Sequence, residues 1–169
     1  AGDDVIDGGL GSDTINGGNN ADLIFGDSID DEFGTGGSAD ILSGGSGNDE
    51  IFGQVGDDTL YGNGGDDYLW AGSGNDTLDG GGGRDFLLGD VGNDTLSGGN
   101  GFDAFAFKDG HGNDVILDFK DKDVIFIDTA QNVDFNAAGS DVLITFGSDS
   151  VLVNNVSVDL MVDSTIIFA

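Results

Sequence analysis

An aspartate recurs every nine residues, without a gap, from Asp4 to Asp103. The series is Asp4, Asp13, Asp22, Asp31, Asp40, Asp49, Asp58, Asp67, Asp76, Asp85, Asp94 and Asp103. Two residues beyond each stands an apolar side chain: Ile6, Ile15, Ile24, Phe33, Leu42, Ile51, Leu60, Leu69, Leu78, Leu87, Leu96 and Phe105. A fixed period means one structural unit used repeatedly, too small to bury a core alone and stable only when stacked. A carboxylate and a core residue locked to the same period mean that the unit buries one thing and binds another.

Gly44-Gly45-Ser46-Gly47-Asn48-Asp49-Glu50-Ile51-Phe52 shows the unit, G-G-x-G-x-D-x-apolar-x, which Gly8 to Asn16 and Gly98 to Ala106 also follow in full. The loop half carries glycine at its first, second and fourth places, where positive φ is permitted and carbonyls can crowd around an ion. The extended half turns only its middle side chain inward, as in Thr59-Leu60-Tyr61 and Thr77-Leu78-Asp79. Short strands between tight turns wind into a coil, one repeat to each half. The pattern predicts an all-β chain: a right-handed parallel β-roll, or solenoid, of about twelve repeats over residues 1–106. Residues 107–169 are expected to form a small β-rich cap.

Two repeats per coil sort the aspartates onto two edges. Asp4, Asp22, Asp40, Asp58, Asp76 and Asp94 fall on one, and Asp13, Asp31, Asp49, Asp67, Asp85 and Asp103 on the other. Edge neighbours would stand one strand spacing apart, about 4.8 Å, where bare carboxylates repel. Ca²⁺ between them, with loop carbonyls completing about six to eight oxygen ligands, removes that repulsion. Both edges together offer room for up to about ten ions, which would bring the net charge to roughly −9. A coil whose aspartates only made Asx-turns would not need Asp, rather than Asn or Ser, at every sixth place.

The repeat weakens in one stretch. Its fourth place is Asn20, then Ile29, then Ser38, and Gly26 to Gly34 reads G-D-S-I-D-D-E-F-G. Ile is poorly suited to positive φ. Because the count of nine is kept, the coil is expected to run through, with weaker sites at Asp22, Asp31 and Asp40 and with Asp27, Asp30 and Glu32 as substitute ligands.

Lys+Arg number 4 against Asp+Glu 33, a formal net charge of −29. Such a surface repels nucleic acid and anionic membranes. Regular placement of the carboxylates points to built-in counterions rather than to disorder. Gly is 33 and Pro 0, but a period of nine rules out collagen. With Cys 0, disulfides and thiol chemistry are excluded. No apolar run approaches the roughly 18 residues that span a bilayer, so membrane insertion is not expected. The sequence opens within a repeat and shows no signal peptide, which reads as the C-terminal part of a larger secreted protein.

The outward faces differ. One sheet shows Thr59, Thr77, Thr95, Asp79 and Ser97; the other shows Phe52, Tyr68, Trp70, Phe86, Leu88, Ala104 and Ala106. The apolar ladder is too large to leave in water, and cover by residues 107–169 is expected. In that segment Phe107 and Lys108 interrupt the period, and Asp109 to Leu117 reads as a thirteenth, imperfect repeat. Val115–Phe119, Val124–Ile127, Val142–Phe146, Val151–Val153 and Thr165–Phe168 are strand candidates. Gly147-Ser148-Asp149 is a hairpin turn and Ser157–Met161 a short helix. A cap of this kind protects the open edge of the last coil.

Over its whole length the chain resembles the RTX proteins of Gram-negative bacteria. The nonapeptides carry the likeness over Gly2 to Ala106. Phe105-Ala106-Phe107 through Asp118-Phe119 and Asp123-Val124-Ile125 is similar to the family's exit from the roll, and Asp163 to Phe168 to the apolar tails of type I secretion substrates. The resemblance implies export through the type I machinery, led by the C-terminus, and a roll that forms only on meeting extracellular calcium. It implies that the sixth-place aspartates share ions two repeats apart, with carbonyl ligands in the glycine loop; Gly44, Gly53, Gly62, Gly80 and Gly89 are the candidates.

RTX modules accompany enzymes, adhesins and toxins, but this chain shows no catalytic constellation. There is no H-E-x-x-H or G-x-S-x-G, and the single histidine, His111, reads as a surface loop residue. The function expected is that of a calcium-binding module supporting secretion and folding of a larger extracellular or cell-surface protein. The alternative is a polysaccharide- or surface-binding module. It would use the Tyr68, Trp70, Phe86 ladder on sugar rings, or the Thr59, Thr77, Thr95 row on ice.

Overall fold

The computed structural model describes residues 2–28, 37–120, 122–129, 132–156 and 166–168. Every regular element among them is a β-strand. Successive repeats alternate between two sheets. The first is built, in spatial order, from β1 (Val5–Asp7), β3 (Leu23–Phe25), β5 (Glu50–Val55), β7 (Tyr68–Ser73), β9 (Phe86–Val91), β11 (Ala104–Lys108), β13 (Val124–Asp128) and β17 (Ile166–Phe168). The second runs β2 (Thr14–Asn19), β4 (Ile41–Ser46), β6 (Thr59–Gly64), β8 (Thr77–Gly83), β10 (Thr95–Gly101), β12 (Asn113–Ile116), β16 (Asp149–Val153), β15 (Asp141–Phe146) and β14 (Val133–Ala138). All pairings are parallel except those joining β14, β15 and β16. The chain is therefore a parallel β-roll.

Most strands of the roll are six residues long rather than the three expected. The ladder continues into the glycine loop, where Gly45 pairs with Asn63 and Gly72 with Asp90. Along β5 this puts two residues inward, Ile51 and Gly53. The core is thus one side chain thick per repeat: Ile24, Leu42, Ile51, Leu60, Leu69, Leu87, Leu96 and Phe105 are all fully buried. The first-place glycine shares the interior with them. At that place only Ala71, among the described residues, carries a methyl group into the core.

The expectation that the coil runs through the weak stretch is overturned. β2 pairs directly with β4 in a register of Ile15 on Leu42, and β3 with β5 in a register of Ile24 on Ile51. Both steps span twenty-seven residues, whereas Leu60 on Leu78 and Leu69 on Leu87 span eighteen. These partners are paired directly, so the register skips one nonapeptide count. The physical reason lies in packing. Gly26 lies against the carboxylate of Asp40, where a Cβ would stand 2.5 Å from Oδ2; Gly17 lies in the same way against Asp22. Gly26 and Asp40 therefore stand to each other as Gly53 and Asp58 do within one repeat. Asp31, with Ile29, Asp30, Glu32 and Phe33, lies outside the described residues. Asp27 supplies an acceptor to Val55 N–H at 3.1 Å.

Beyond β11 the expected strand candidates appear as β12, β13, β15, β16 and β17, with the turn at Gly147 (φ 64°) joining β15 to β16. β14 was not expected, because Val133-Asp134-Phe135-Asn136-Ala137-Ala138 has too little apolar alternation to stand out. β12 and β13 each extend one sheet of the roll in parallel, and the β14–β15–β16 meander ends the second sheet. The short helix expected over Ser157–Met161 lies outside the described residues.

Candidate metal centres along the two edges

Each sixth-place aspartate ends a glycine loop and immediately precedes a strand, so the parallel ladder stacks these carboxylates at strand spacing. Asp22, Asp40, Asp49, Asp58, Asp67, Asp76, Asp85, Asp94 and Asp103 each contribute Oδ1 as acceptor for the backbone N–H of the aspartate one coil earlier, at 2.7–3.1 Å. The bonds trace two rows. One is Asp4, Asp22, Asp49, Asp67, Asp85, Asp103; the other is Asp13, Asp40, Asp58, Asp76, Asp94. The expected edge sets are corrected accordingly: the skipped count moves Asp4 and Asp22 onto the edge of Asp49, and Asp13 onto that of Asp40. Pairs past the skip, such as Asp49 with Asp67 and Asp58 with Asp76, stand as expected.

The second oxygen of each carboxylate is in a different situation. Oδ2 of Asp13, Asp22, Asp40, Asp49, Asp58, Asp67, Asp76, Asp85, Asp94 and Asp103 is buried and has no hydrogen-bond partner. Except at Asp76, where Ala71 holds the first place, it lies against a first-place glycine. A Cβ on Gly53 would stand 2.5 Å from Asp58 Oδ2 and one on Gly80 2.6 Å from Asp85 Oδ2; Gly44, Gly62 and Gly89 crowd their aspartates in the same way. These first-place glycines do not adopt positive φ; that conformation belongs to the second and fourth places, as at Gly45 (115°) and Gly47 (138°). Glycine at the first place leaves room for the carboxylate, and among the described residues of the repeats Ala71 alone places a methyl group there instead. First-place carbonyls share this space: Gly80 O would stand 2.5 Å from a Cβ on Gly62, and Ala71 O 2.8 Å from one on Gly53.

Burial without a counter-charge raises the carboxyl pKa. Asp58, Asp67 and Asp103 are pushed from 3.8 to about 6, and Asp76, Asp85 and Asp94 to about 7. Loss of solvation is the largest cause, and the repulsion of row neighbours adds to it, partly offset by the N–H donated to Oδ1. Among the described residues no three His, Cys, Asp or Glu side chains converge on one point. A cation in a row would therefore meet carboxylates singly, from neighbouring coils, and backbone carbonyls for the rest. An all-oxygen, anionic, loop-borne donor set suits Ca²⁺, which accepts about six to eight oxygens in flexible geometry. The ten partnerless oxygens fit such an ion.

The rows continue into residues that the period of nine passes over. Asp114 Oδ1 accepts from Asp94 N–H at 2.9 Å and Asp123 Oδ1 from Asp103 N–H at 3.0 Å, each after twenty residues. The loop Gly110-His111-Gly112-Asn113-Asp114 was a visible signal for the first; the two inserted residues Phe107 and Lys108 hid its register. Here the second oxygen is satisfied: Asp114 Oδ2 bonds His111 Nδ1, and Asp123 Oδ2 accepts from Lys120 N–H at 2.7 Å. These two carboxylates close the rows. His111 is thus not a surface residue but 1% exposed, lodged between the rings of Phe107 and Phe146.

The aromatic ladder lies on the outside of the first sheet, as expected, but the described residues of the segment 107–169 do not cover it. Their strands extend the ends of the two sheets, and Trp70 remains 37% exposed. Its neighbours shelter one another instead: Phe25 stacks on Phe52 and Tyr68 on Phe86, each pair at 5.2 Å between centroids. On the opposite face Thr59, Thr77 and Thr95 are in register. Ile41 and Val115 close that row at both ends, so it stays three long.

The family model of the RTX calcium-binding nonapeptide repeat (4 copies) matches residues 1–31, 34–69 and 70–105. The chain belongs to this family. Among solved structures, this RTX chain is similar to the extracellular lipase LipA from Serratia marcescens, at 17% identity and a TM-score of 0.45, over 100% of this chain and 40% of that one. It is also similar to the AlgE6R2 subunit of the mannuronan C5-epimerase from Azotobacter vinelandii, at 23% identity and a TM-score of 0.45, over 78% and 89% of the two chains. The RTX chain thus spans 40% of the length of the lipase. No curated protein matches it in sequence.

Proposed function

We propose that this chain is a calcium-triggered folding module of a larger secreted protein, exported unfolded by the type I machinery and folded outside the cell. The observation that carries the reading is the double row of buried, partnerless Oδ2 atoms. Ten carboxylates cannot stay charged and unpaired in a core this thin, because burying an uncompensated charge costs more than the surrounding apolar contact returns. Bound Ca²⁺ would neutralise the rows and tie each coil to the next.

The chain's own residues do the rest. Asp22, Asp49, Asp67, Asp85 and Asp103 present one row, and Asp13, Asp40, Asp58, Asp76 and Asp94 the other. First-place residues, Gly44, Gly53, Gly62, Ala71, Gly80 and Gly89, offer backbone carbonyls beside them. Hydrogen bonds through Oδ1 hold each carboxylate at fixed height, so every ion site requires its neighbouring coil. Folding is cooperative for that reason. Thirty-three glycines make the unfolded chain hard to order, at about 1–2 kcal/mol per residue, and a ligand that binds only the folded form supplies the balance by mass action. Such sites are expected to load at millimolar, extracellular calcium and to stay empty in the cytosol.

Circular dichroism in chelator and then in calcium tests this. A coil spectrum converting to β on calcium addition is expected, and Mg²⁺, which demands a tighter octahedron, is expected to replace it poorly. A β spectrum that chelation does not change overturns the reading.

A further inference from the structure

The outer face of the first sheet holds a cleft that the carboxylate rows do not use. It has a volume of about 330 Å³. Phe25, Phe52 and Trp70 form its apolar walls, and Gln54, Ser73 and Asp90 bring polar groups to it. The indole is fixed in place: Trp70 Nε1–H donates to Asp90 Oδ2 at 3.0 Å, and Lys108 Nζ holds the other oxygen of Asp90 at 2.7 Å.

The backbone shows that these polar side chains are placed at a cost. Gln54, Gly72 and Asp90 stand in register on adjacent strands, at the second place of their repeats. That place requires positive φ, and glycine fills it at Gly45, Gly81 and Gly99. Gln54 (φ 79°) and Asp90 (φ 74°) adopt the same left-handed conformation with full side chains. Asp tolerates it through local hydrogen bonding, but Gln has no such help. Both strained residues flank the same cleft, one on each side of Gly72. Gln54 Oε1 is shielded from solvent and makes no hydrogen bond.

We propose that this cleft binds a ring of a neutral oligosaccharide. Aromatic faces pack against the C–H faces of a sugar ring, while the Gln54 amide nitrogen, the Ser73 hydroxyl and Asp90 Oδ2 meet its hydroxyl groups. Charge selects the class: a chain of net charge −29, with Asp90 at the cleft and its cation neighbour Lys108 already paired, disfavours acidic sugars. Size selects it too. A pocket near the lower end of small-ligand sites suits a ring, whereas a stable protein interface buries well over about 1,000 Å². The site needs a folded roll and so rests on calcium-driven folding, but none of the row carboxylates lines it, and Ala71 is the one lining residue whose carbonyl also faces a row.

Trp70 is the single tryptophan, so its emission reports the cleft directly. The calcium-loaded chain is titrated with neutral hexasaccharides of gluco-, manno- and galacto-configuration and with oligogalacturonate. A saturable blue shift with at least one neutral series, and none with oligogalacturonate, is expected. By calorimetry, Trp70→Ala is expected to weaken binding on the order of tenfold or more. Gln54→Gly is the sharper test: it relieves the backbone, so the roll should melt at higher temperature while sugar binding weakens. Circular dichroism in calcium separates a parent chain that does not fold, which would sink the calcium reading, from a folded parent that binds no sugar, which would sink this one, and confirms that each variant compared is folded. The proposal is also overturned if Gln54→Gly binds as tightly as the parent, or if only the acidic sugar binds. An emission shift that follows protein concentration without sugar, marking the face as a contact between copies, overturns it as well.

Discussion

The backbone N–H of Asp13 donates to Oδ1 of Asp40 at 2.8 Å, across twenty-seven residues, while the next rung of the same row, Asp40 to Asp58, spans eighteen. The aspartate that the sequence count places between them takes no part in this bond. Asp31→Asn is therefore expected to leave the calcium midpoint for folding and the number of bound ions unchanged. Asp40→Asn removes a buried rung and is expected to raise that midpoint severalfold. Equilibrium dialysis with atomic absorption, alongside a calcium titration by circular dichroism, checks both; equal effects of the two changes would contradict the register.

Asp94 and Asp114 are neighbours in one row but differ in their second oxygen. That of Asp94 has no hydrogen-bond partner, and that of Asp114 is held by His111. Asp94→Asn is expected to lower the number of bound calcium ions. Asp114→Asn should keep that number but lower the melting temperature, because a bond inside a buried cluster is weakened, at about 1–3 kcal/mol. Ion counting on the two purified variants distinguishes the roles.

Glycine is required for two separable reasons, which Gly9 and Gly101 divide. Both adopt positive φ, 94° and 157°. A Cβ on Gly9 meets nothing within 4 Å, whereas one on Gly101 overlaps the carbonyl oxygen of Gly83. Gly9→Ala should cost only the conformational strain, about 1 kcal/mol. Gly101→Ala forces two coils apart and should cost about 4 kcal/mol or more. Urea unfolding in saturating calcium measures the difference.

The raised carboxyl pKa values set the pH dependence and its sign. A group that holds its proton more tightly when folded favours the folded state at low pH and loses that contribution as pH rises through its folded pKa. For Asp58, Asp67 and Asp103 the window runs from 3.8 to about 6, and for Asp76, Asp85 and Asp94 from 3.8 to about 7. Without calcium, β structure should therefore increase as pH falls from 8 to 5. With calcium, protons compete for the same oxygens, and the calcium midpoint should rise as pH drops below about 7. Far-ultraviolet dichroism across this range, with and without chelator, tests both signs.

The repeat alone determined the parallel roll, the inward row from Leu42 to Phe105, the alternation of a threonine face with an aromatic face, and the stacking of the carboxylates from Asp40 to Asp103 along the edges. These follow from chemistry inside one nonapeptide: a glycine loop can turn only one way, and an extended triplet has one inward side chain. What the tertiary structure decided was which nonapeptide meets which. The count of nine runs unbroken past Asp31, yet Asp40 packs on Gly26 and pairs with Asp13, because register is set by backbone ladders and by the space a carboxylate finds against a glycine. The same holds where Asp114 and Asp123 continue the rows after twenty residues, where His111 is enclosed by Phe107 and Phe146, and where Trp70 is left open because the last strands add to the sheet ends. A local pattern states what each residue can do when paired; only contacts far apart in sequence choose the partner.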